Sequence, residues 1–501
     1  MVACAAGGIG LLVLALWLLR PGAVKAMAEQ GLSRHLQLDA KIEDLSVTLL
    51  PRPRVAGSGL TLRLPGHPEL PPFISIDHFY LDVGLLSMMR RHVKTVHADG
   101  LRIAVPPGDT KNALRGGRPG AGGMRDVIID HFVTHNAELS FVPKTAGKTP
   151  LMFAITDLEV DSVGFGLEMP FMAKLINPTP RGLVEATGSI GPWQPDDVTN
   201  LPLAGAFTFT DADLSTINGI GGRVDAKGAF KGVLTTIAVT GDANVRDFSL
   251  DLGGKPAALA ASFDVAVDGT DGTTELKRVD ALLGQTHMHV AGLIDNQPGP
   301  GGHDVDLGLE IQQGRIEDLL SLVLDTPKPA MIGDVSVKTR LKLPPGKTRV
   351  RNRLSVTGTF GLAGARFSDP GVQQKLHDLS RRSQGKDADE TIARVLSNLK
   401  GRLDLGKGSA RFRALTFDVP GAKIALDGAY DLGTGGLDFH GTLRMQASLS
   451  QAVGGFKSIF IRPFDAIFRK DGAGAVIPIK ITGTRQSPAF GVEMGKVFGK
   501  N

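Results

Sequence analysis

Residues 437–447 read Leu-Asp-Phe-His-Gly-Thr-Leu-Arg-Met-Gln-Ala, and every second residue is apolar or glycine. Leu437, Phe439, Gly441, Leu443, Met445 and Ala447 fall in one phase, and Asp438, His440, Thr442, Arg444 and Gln446 in the other. Successive side chains of a β-strand point to opposite faces, so this stretch predicts a strand with one dry and one wet face. The same alternation recurs at 259–267, 305–311, 335–343, 354–362, 424–432 and 477–481. From about residue 70 onward, roughly twenty such segments follow one another, separated by Gly, Asp, Asn and Pro at hairpin spacing.

Consecutive hairpins build an antiparallel sheet, and an open sheet of more than about ten strands curls or splits. The fold predicted is therefore mainly β: a long curled antiparallel sheet, an open groove of repeated strands, with a few short helices. Composition agrees, since 64 Gly and 30 Pro in 501 residues interrupt the chain too often for long helices. Several glycines fall in the dry phase: Gly188, Gly228, Gly241, Gly292, Gly358, Gly428, Gly441 and Gly483. Glycine inside a strand marks a bend or a close approach. Bending of the sheet is one reading; floor space for a guest chain is the other, and a curved sheet with a shallow apolar floor satisfies both.

Helical signals are sparse. Residues 211–218 read as a short helix capped by Asp211, ending before Gly219. Asp369-Pro370 opens a second, with Asp as cap and Pro at the first helical position. Its apolar register passes through Val372, Leu376 and Leu379, breaks near Gly385, and resumes at Ile392, Val395, Leu396 and Leu399. Residues 449–468 form the third and most aromatic candidate, with Phe456, Phe460, Phe464 and Phe468 among basic residues. That pattern suits either a cap on the sheet or contact with a membrane surface.

At the N-terminus, residues 2–19 carry no charge, about the minimum length for a bilayer span. Nothing basic precedes them, and Leu18-Leu19-Arg20 is a poor cleavage site, so an uncleaved transmembrane anchor is expected over a signal peptide. Arg20, Lys25, Arg34 and Lys41 follow the span, and charge bias alone would put the body in the cytoplasm. The organisation expected is an anchor at 1–20, an N-terminal region at 21–145, a central repeated-strand sheet at 146–365 and a C-terminal region at 366–501.

Charge and chemistry exclude more than they suggest. The 56 basic and 51 acidic residues are interspersed, giving +5, so no nucleic-acid partner is expected. The single cysteine, Cys4, lies in the apolar run and allows no disulfide or thiolate metal site within the chain. His287 and His289 share a wet strand face with no third ligand nearby; His131 and His135 sit in a segment whose Val127, Ile129 and Val133 alternate as a strand. The glycine-rich run 116–123 lacks the context and Lys-Ser/Thr of a phosphate loop. Basic clusters at Arg90, Arg91, His92 and Lys94, and at Lys347, Arg349, Arg351 and Arg353, read as solvated turns, the first with an anionic membrane as its other reading. No catalytic residue, metal or cofactor is assigned.

The order of several motifs resembles the AsmA-like family. After the apolar N-terminus come Leu45-Ser46-Val47-Thr48-Leu49-Leu50-Pro51-Arg52-Pro53 and Ser75-Ile76-Asp77-His78-Phe79-Tyr80-Leu81. The middle carries repeated strands such as Gly205-Ala206-Phe207-Thr208-Phe209-Thr210. Near the end stand Val419-Pro420-Gly421-Ala422-Lys423-Ile424 and Ile477-Pro478-Ile479-Lys480-Ile481-Thr482-Gly483-Thr484. The resemblance spans nearly the whole chain but consists of strand patterns, without a catalytic signature. It implies a single-pass protein of a Gram-negative inner membrane, its body in the periplasm, whose apolar groove binds or conducts phospholipids for outer-membrane biogenesis, with envelope proteins as further partners. A scaffold assisting outer-membrane protein assembly is the alternative. The groove-lining candidates are Leu259, Phe263, Val265, Leu354, Val356, Phe360, Ile424, Leu426, Tyr430, Leu437, Phe439 and Leu443. Burial of each acyl methylene contributes about 0.8 kcal/mol, so such a groove needs no specific contact to hold a lipid tail. Phe456, Phe460, Phe464 and Phe468 are the membrane-contact candidates.

Overall fold

The computed structural model describes residues 21–36, 38–48, 54–82, 92–105, 128–142, 151–164, 166–192, 200–217, 219–295, 303–386, 396–447, 474–484 and 487–493. The expected span at 2–19, the run 116–123, Arg90, Arg91, and the segment with Phe456, Phe460, Phe464 and Phe468 lie outside them. Among the described residues, no helix is long and apolar enough to cross a membrane. Twenty-five strands belong to one hydrogen-bonded sheet, so the chain is mainly β with few helices, as the alternation predicts. The chain divides into two compact units: 1–216 with 224–241 and 266–273, and 217–223 with 242–265 and 274–501.

In the first unit, helix α1 (Pro21–Leu36) leads into β1 (Asp39–Lys41) and β2 (Asp44–Thr48), both paired with β3 (Arg54–Arg63). The helix is held to the strands by polar side chains. Glu29 accepts the Ile42 N–H at 2.9 Å, and Ser33 accepts the Ala40 N–H at 3.0 Å. Leu38, Ala40, Leu62, Leu64 and Phe73 form a small closed core, with Leu32 of the helix packed on it.

This unit departs from the antiparallel prediction. β4 (Ile74–Asp82) pairs antiparallel with β5 (His92–Asp99) and β6 (Arg102–Val105), but both of these run parallel to β7 (Ile128–Phe141). The sheet is therefore mixed. Parallel neighbours require a crossover of a dozen or more residues, and the long stretch between β6 and β7 supplies it. Antiparallel order then resumes through β8 (Leu151–Val163), β9 (Met169–Pro178), β10 (Arg181–Ile190) and β11 (Pro202–Asp213). β7 pairs with β8 across residues 145–146, where a regional boundary is expected. Of the helix expected at 211–218, Asp211–Asp213 end β11, with Asp211 at φ 51°, and only Leu214–Thr216 form a 3-10 turn. The cap is Asp213, which accepts the Ser215 N–H at 2.9 Å.

Strands β12 (Ile220–Val233), β13 (Thr236–Leu250) and β14 (Ala257–Val267) each contribute residues to both units. The second unit continues as an antiparallel meander: β15 (Thr274–Leu283), β16 (Thr286–Asp295), β17 (Asp304–Arg315), β18 (Met331–Leu343), β19 (Ser355–Phe367), β20 (Ser397–Gly406), β21 (Ser409–Val419), β22 (Ala422–Asp431), β23 (Gly436–Met445), β24 (Ala475–Thr484) and β25 (Ser487–Val492). Residue 365, the other expected boundary, falls inside β19.

Among the described residues, three helices interrupt the meander: α2 (Ile316–Ser321) between β17 and β18, α3 (Val350–Arg353) before β19, and α4 (Pro370–Ser383) between β19 and β20. The α4 start is as predicted: Asp369 accepts the Val372 N–H at 2.9 Å, with Pro370 at the first position. The helix does not resume through Leu399, since 397–399 already belong to β20. Leu399, Gly401, Leu403 and Leu405 alternate as a strand paired on both sides, and two ladders of hydrogen bonds outweigh a short apolar repeat.

Candidate functional site

The paired registers of the second unit assemble the dry phases of separate strands into continuous apolar rows. One row runs Leu307–Leu341–Val356–Leu405–Ala410–Tyr430–Leu437 across β17 to β23. The next holds Leu403, Phe412, Gly428, Phe439 and Ile481. Nearer the far strand ends, Val335, Leu362, Leu399, Phe417, Ile424, Leu443 and Ile477 stand in one row. Eight of the twelve predicted residues thus share one face of β19, β22 and β23. Leu354 precedes β19 and stands outside the paired rows. Leu259, Phe263 and Val265 share the inward phase of β14, five strands earlier in the chain.

Of the twelve, Val265, Leu426 and Phe439 are buried and the other nine are half-buried. Two further buried clusters lie under helices. Under α2, whose Ile316 and Leu319 pack on the sheet, Val335 is 5% exposed, Leu362 7% and Ala365 1%. Under α4, whose Leu376 and Leu379 do the same, Val419 and Ala422 are 7% and 6% exposed. Hydrogen bonds fix α4 there: Ser380 donates to the Pro420 carbonyl at 2.7 Å, and the Ser383 carbonyl accepts from Ala447 at 2.8 Å. Away from these helices the rows of Val356, Tyr430 and Leu437 stay half-buried.

The aromatic side chains of this face touch in sequence. Phe360 meets Phe412 edge-on at 6.2 Å between centroids, and Phe412 meets Phe439 at 5.8 Å. Glycines stand between them, Gly401 opposite Phe360 and Gly428 opposite both Phe412 and Phe439. A Cβ on Gly441 would overlap the Ala425 carbonyl oxygen, and one on Gly428 the Asp438 carbonyl oxygen. Gly188, Gly228, Gly292 and Gly358 meet neighbouring carbonyls in the same way. Close approach of strand backbones therefore requires these glycines.

Phe412 was missed as a candidate because β21 carries a bulge. Ala414 takes φ 50°, and the register shifts between Phe412 and Leu415, so two residues three apart share the dry face. Counting by twos cannot find both; the local signal was the short spacing of two large apolar residues in an otherwise alternating strand.

The wet face carries ion pairs. Arg340 holds Asp306 through two hydrogen bonds of 2.6 and 2.7 Å, with the Lys342 ammonium at 3.2 Å. The Arg340 bonds, ahead of Lys342, lower the Asp306 pKa to about 2. His131 and His135 lie on β7 as a strand, each beside its own carboxylate, Asp161 at 2.6 Å and Asp157 at 2.8 Å. His287 and His289 are exposed on β16, with His289 bonded to Asp280. Among the described residues, no group of three or more His, Cys, Asp or Glu is placed to share a metal ion. In the second basic cluster, Arg353 ends α3 and donates to the carbonyls of Thr348 and Pro344. Compared with known proteins, the sequence matches no family model and no curated protein.

Proposed function

We propose that this chain is a lipid-handling protein of the bacterial envelope, its apolar face forming a groove that shelters acyl chains of phospholipids. The observation that carries the reading is the row Leu341–Val356–Leu405–Ala410–Tyr430–Leu437: apolar, continuous over consecutive strands and half-buried at every position but Ala410. Half-buried apolar rows retain surface that an acyl chain would remove from water, at about 25 cal/mol per Å2. The AsmA-like order of motifs agrees, and with it an N-terminal anchor in the inner membrane and a periplasmic body. A scaffold for outer-membrane protein assembly is the second reading. The rows under α2 and α4 favour it, because they are packed as an ordinary core.

Purified full-length protein separates the two. Phospholipid recovered by mass spectrometry, and lost in a V356D/L437D variant that keeps its circular dichroism, is the result expected of a groove. Wild-type protein that is folded, lipid-free and unable to take up added fluorescent phospholipid would favour the scaffold.

A further inference from the structure

The opposite face of these strands carries an unusual arrangement of charge. Arg402 of β20 stands directly across from Arg413 of β21, and Lys423 of β22 directly across from Arg444 of β23. Like charges in directly opposed positions destabilise a strand pair. Several wet-face cations elsewhere have partners: Arg54 binds Asp82, Arg102 binds Asp77 at 2.8 and 3.0 Å, Lys174 binds Glu185, and Arg340 binds Asp306.

On β20 to β23 the pattern differs. Lys400, Arg402, Arg411, Arg413 and Arg444 are exposed, and none has an ion pair or hydrogen bond among the described residues. Lys423 reaches Asp418 only at 3.9 Å. Among the described residues, the nearby carboxylates form no ion pair with those five residues, while Asp418, which pairs with Lys423, stands directly across from it. Asp427 accepts the Ala414 N–H at 2.8 Å, Asp438 binds His440, and Asp404 faces Arg411 without an ion pair.

We propose that the outward face of β20 to β23 docks the protein on an anionic phospholipid surface. Charge complementarity selects that occupant. The two like-charged pairs lie on different strand pairs, so an extended plane of negative charge relieves both, whereas a single small anion relieves one. Phe360, Phe412, Tyr430 and Phe439 all belong to the apolar face, leaving the cationic face without the stacking platforms used for single-stranded nucleic acid. Basic residues near an anionic leaflet attract it additively, and salt screens the attraction. This inference does not rest on the groove, because it uses the other side of the sheet.

The test immobilises the full chain by a C-terminal tag and offers dye-filled vesicles. Phosphatidylcholine vesicles give the charge-independent background; vesicles with one third phosphatidylglycerol give the signal. Wild type should capture the anionic vesicles well above background and release them at high salt. R402E/R413E should lower that capture at least about tenfold, while R402K/R413K keeps most of it. K423E/R444E should act in the same direction, and decides the matter if R402E/R413E fails a circular dichroism check. Equal capture of both vesicle types, or unchanged capture by folded charge-reversed protein, would overturn the proposal. Heparin binding without anionic-vesicle capture would overturn it in favour of a soluble polyanion.

Discussion

Two regions of the same sheet face behave differently. Val335, Leu362, Val419 and Ala422 are buried beneath α2 and α4, while Val356 on β19, Tyr430 on β22 and Leu437 on the adjacent β23 remain half-buried. Strand pairing and residue type are alike in both. What differs between these residues is cover by a helix inserted between consecutive strands, although Ala410, Leu426 and Phe439 are buried on this face without belonging to either helix-covered cluster. The sheet supplies apolar surface everywhere, and its long connections choose where that surface is closed. On the proposed reading the half-buried residues are where a lipid would act, and the rows closed by helices are where stability resides.

The contrast is broken most directly by truncation. Leu362→Ala should lower unfolding free energy by about 2–4 kcal/mol, whereas Leu437→Ala should cost about 1 kcal/mol or less, because its side chain already meets water. Urea denaturation of the two variants measures the gap; equal losses would remove the distinction. Backbone packing comes next. Gly441→Ala should cost about 1–3 kcal/mol as the Ala425 carbonyl is pushed away, while Gly406→Ala, with open space around it, should be close to neutral in the same assay.

Helix cover can also be loosened from its end. Asp369→Ala removes the cap of α4 and should cost about 1 kcal/mol, with faster amide exchange in α4 and at Val419 and Ala422 than at Leu437. The smallest effect belongs to the wet face. Because the folded pKa of Asp306 is lowered to about 2, its stabilisation is present above about pH 4 and is lost as pH falls towards 2. Asp306→Asn should flatten that part of a melting-temperature profile, modestly because the pair is exposed. An unchanged acid limb would show that Arg340 and Lys342 contribute nothing through this carboxylate.

Much of this was legible locally. Alternation at 437–447 predicts β23, and Asp369-Pro370 predicts the start of α4, because strand phase and helix caps depend on residues a few positions apart. The misreadings came where a distant partner intervenes. Leu399 fits a helical repeat until β19 and β21 pair with its strand. Asp211 resembles a cap until β11 carries it as a strand residue with positive φ. Phe412 joined the site only through the bulge at Ala414, and the unpaired cations matter only because registers place Arg402 opposite Arg413.

The sequence by itself determined the class of fold, the phase of most strands and the two-faced character of the sheet, since each is written in the spacing of neighbouring residues. Tertiary structure alone decided that β5 and β6 run parallel to β7, which rows α2 and α4 close, and which charges meet across strands. A strand's own residues set which side is dry; its direction, register and cover come from partners tens of residues away, and nothing in local spacing encodes them.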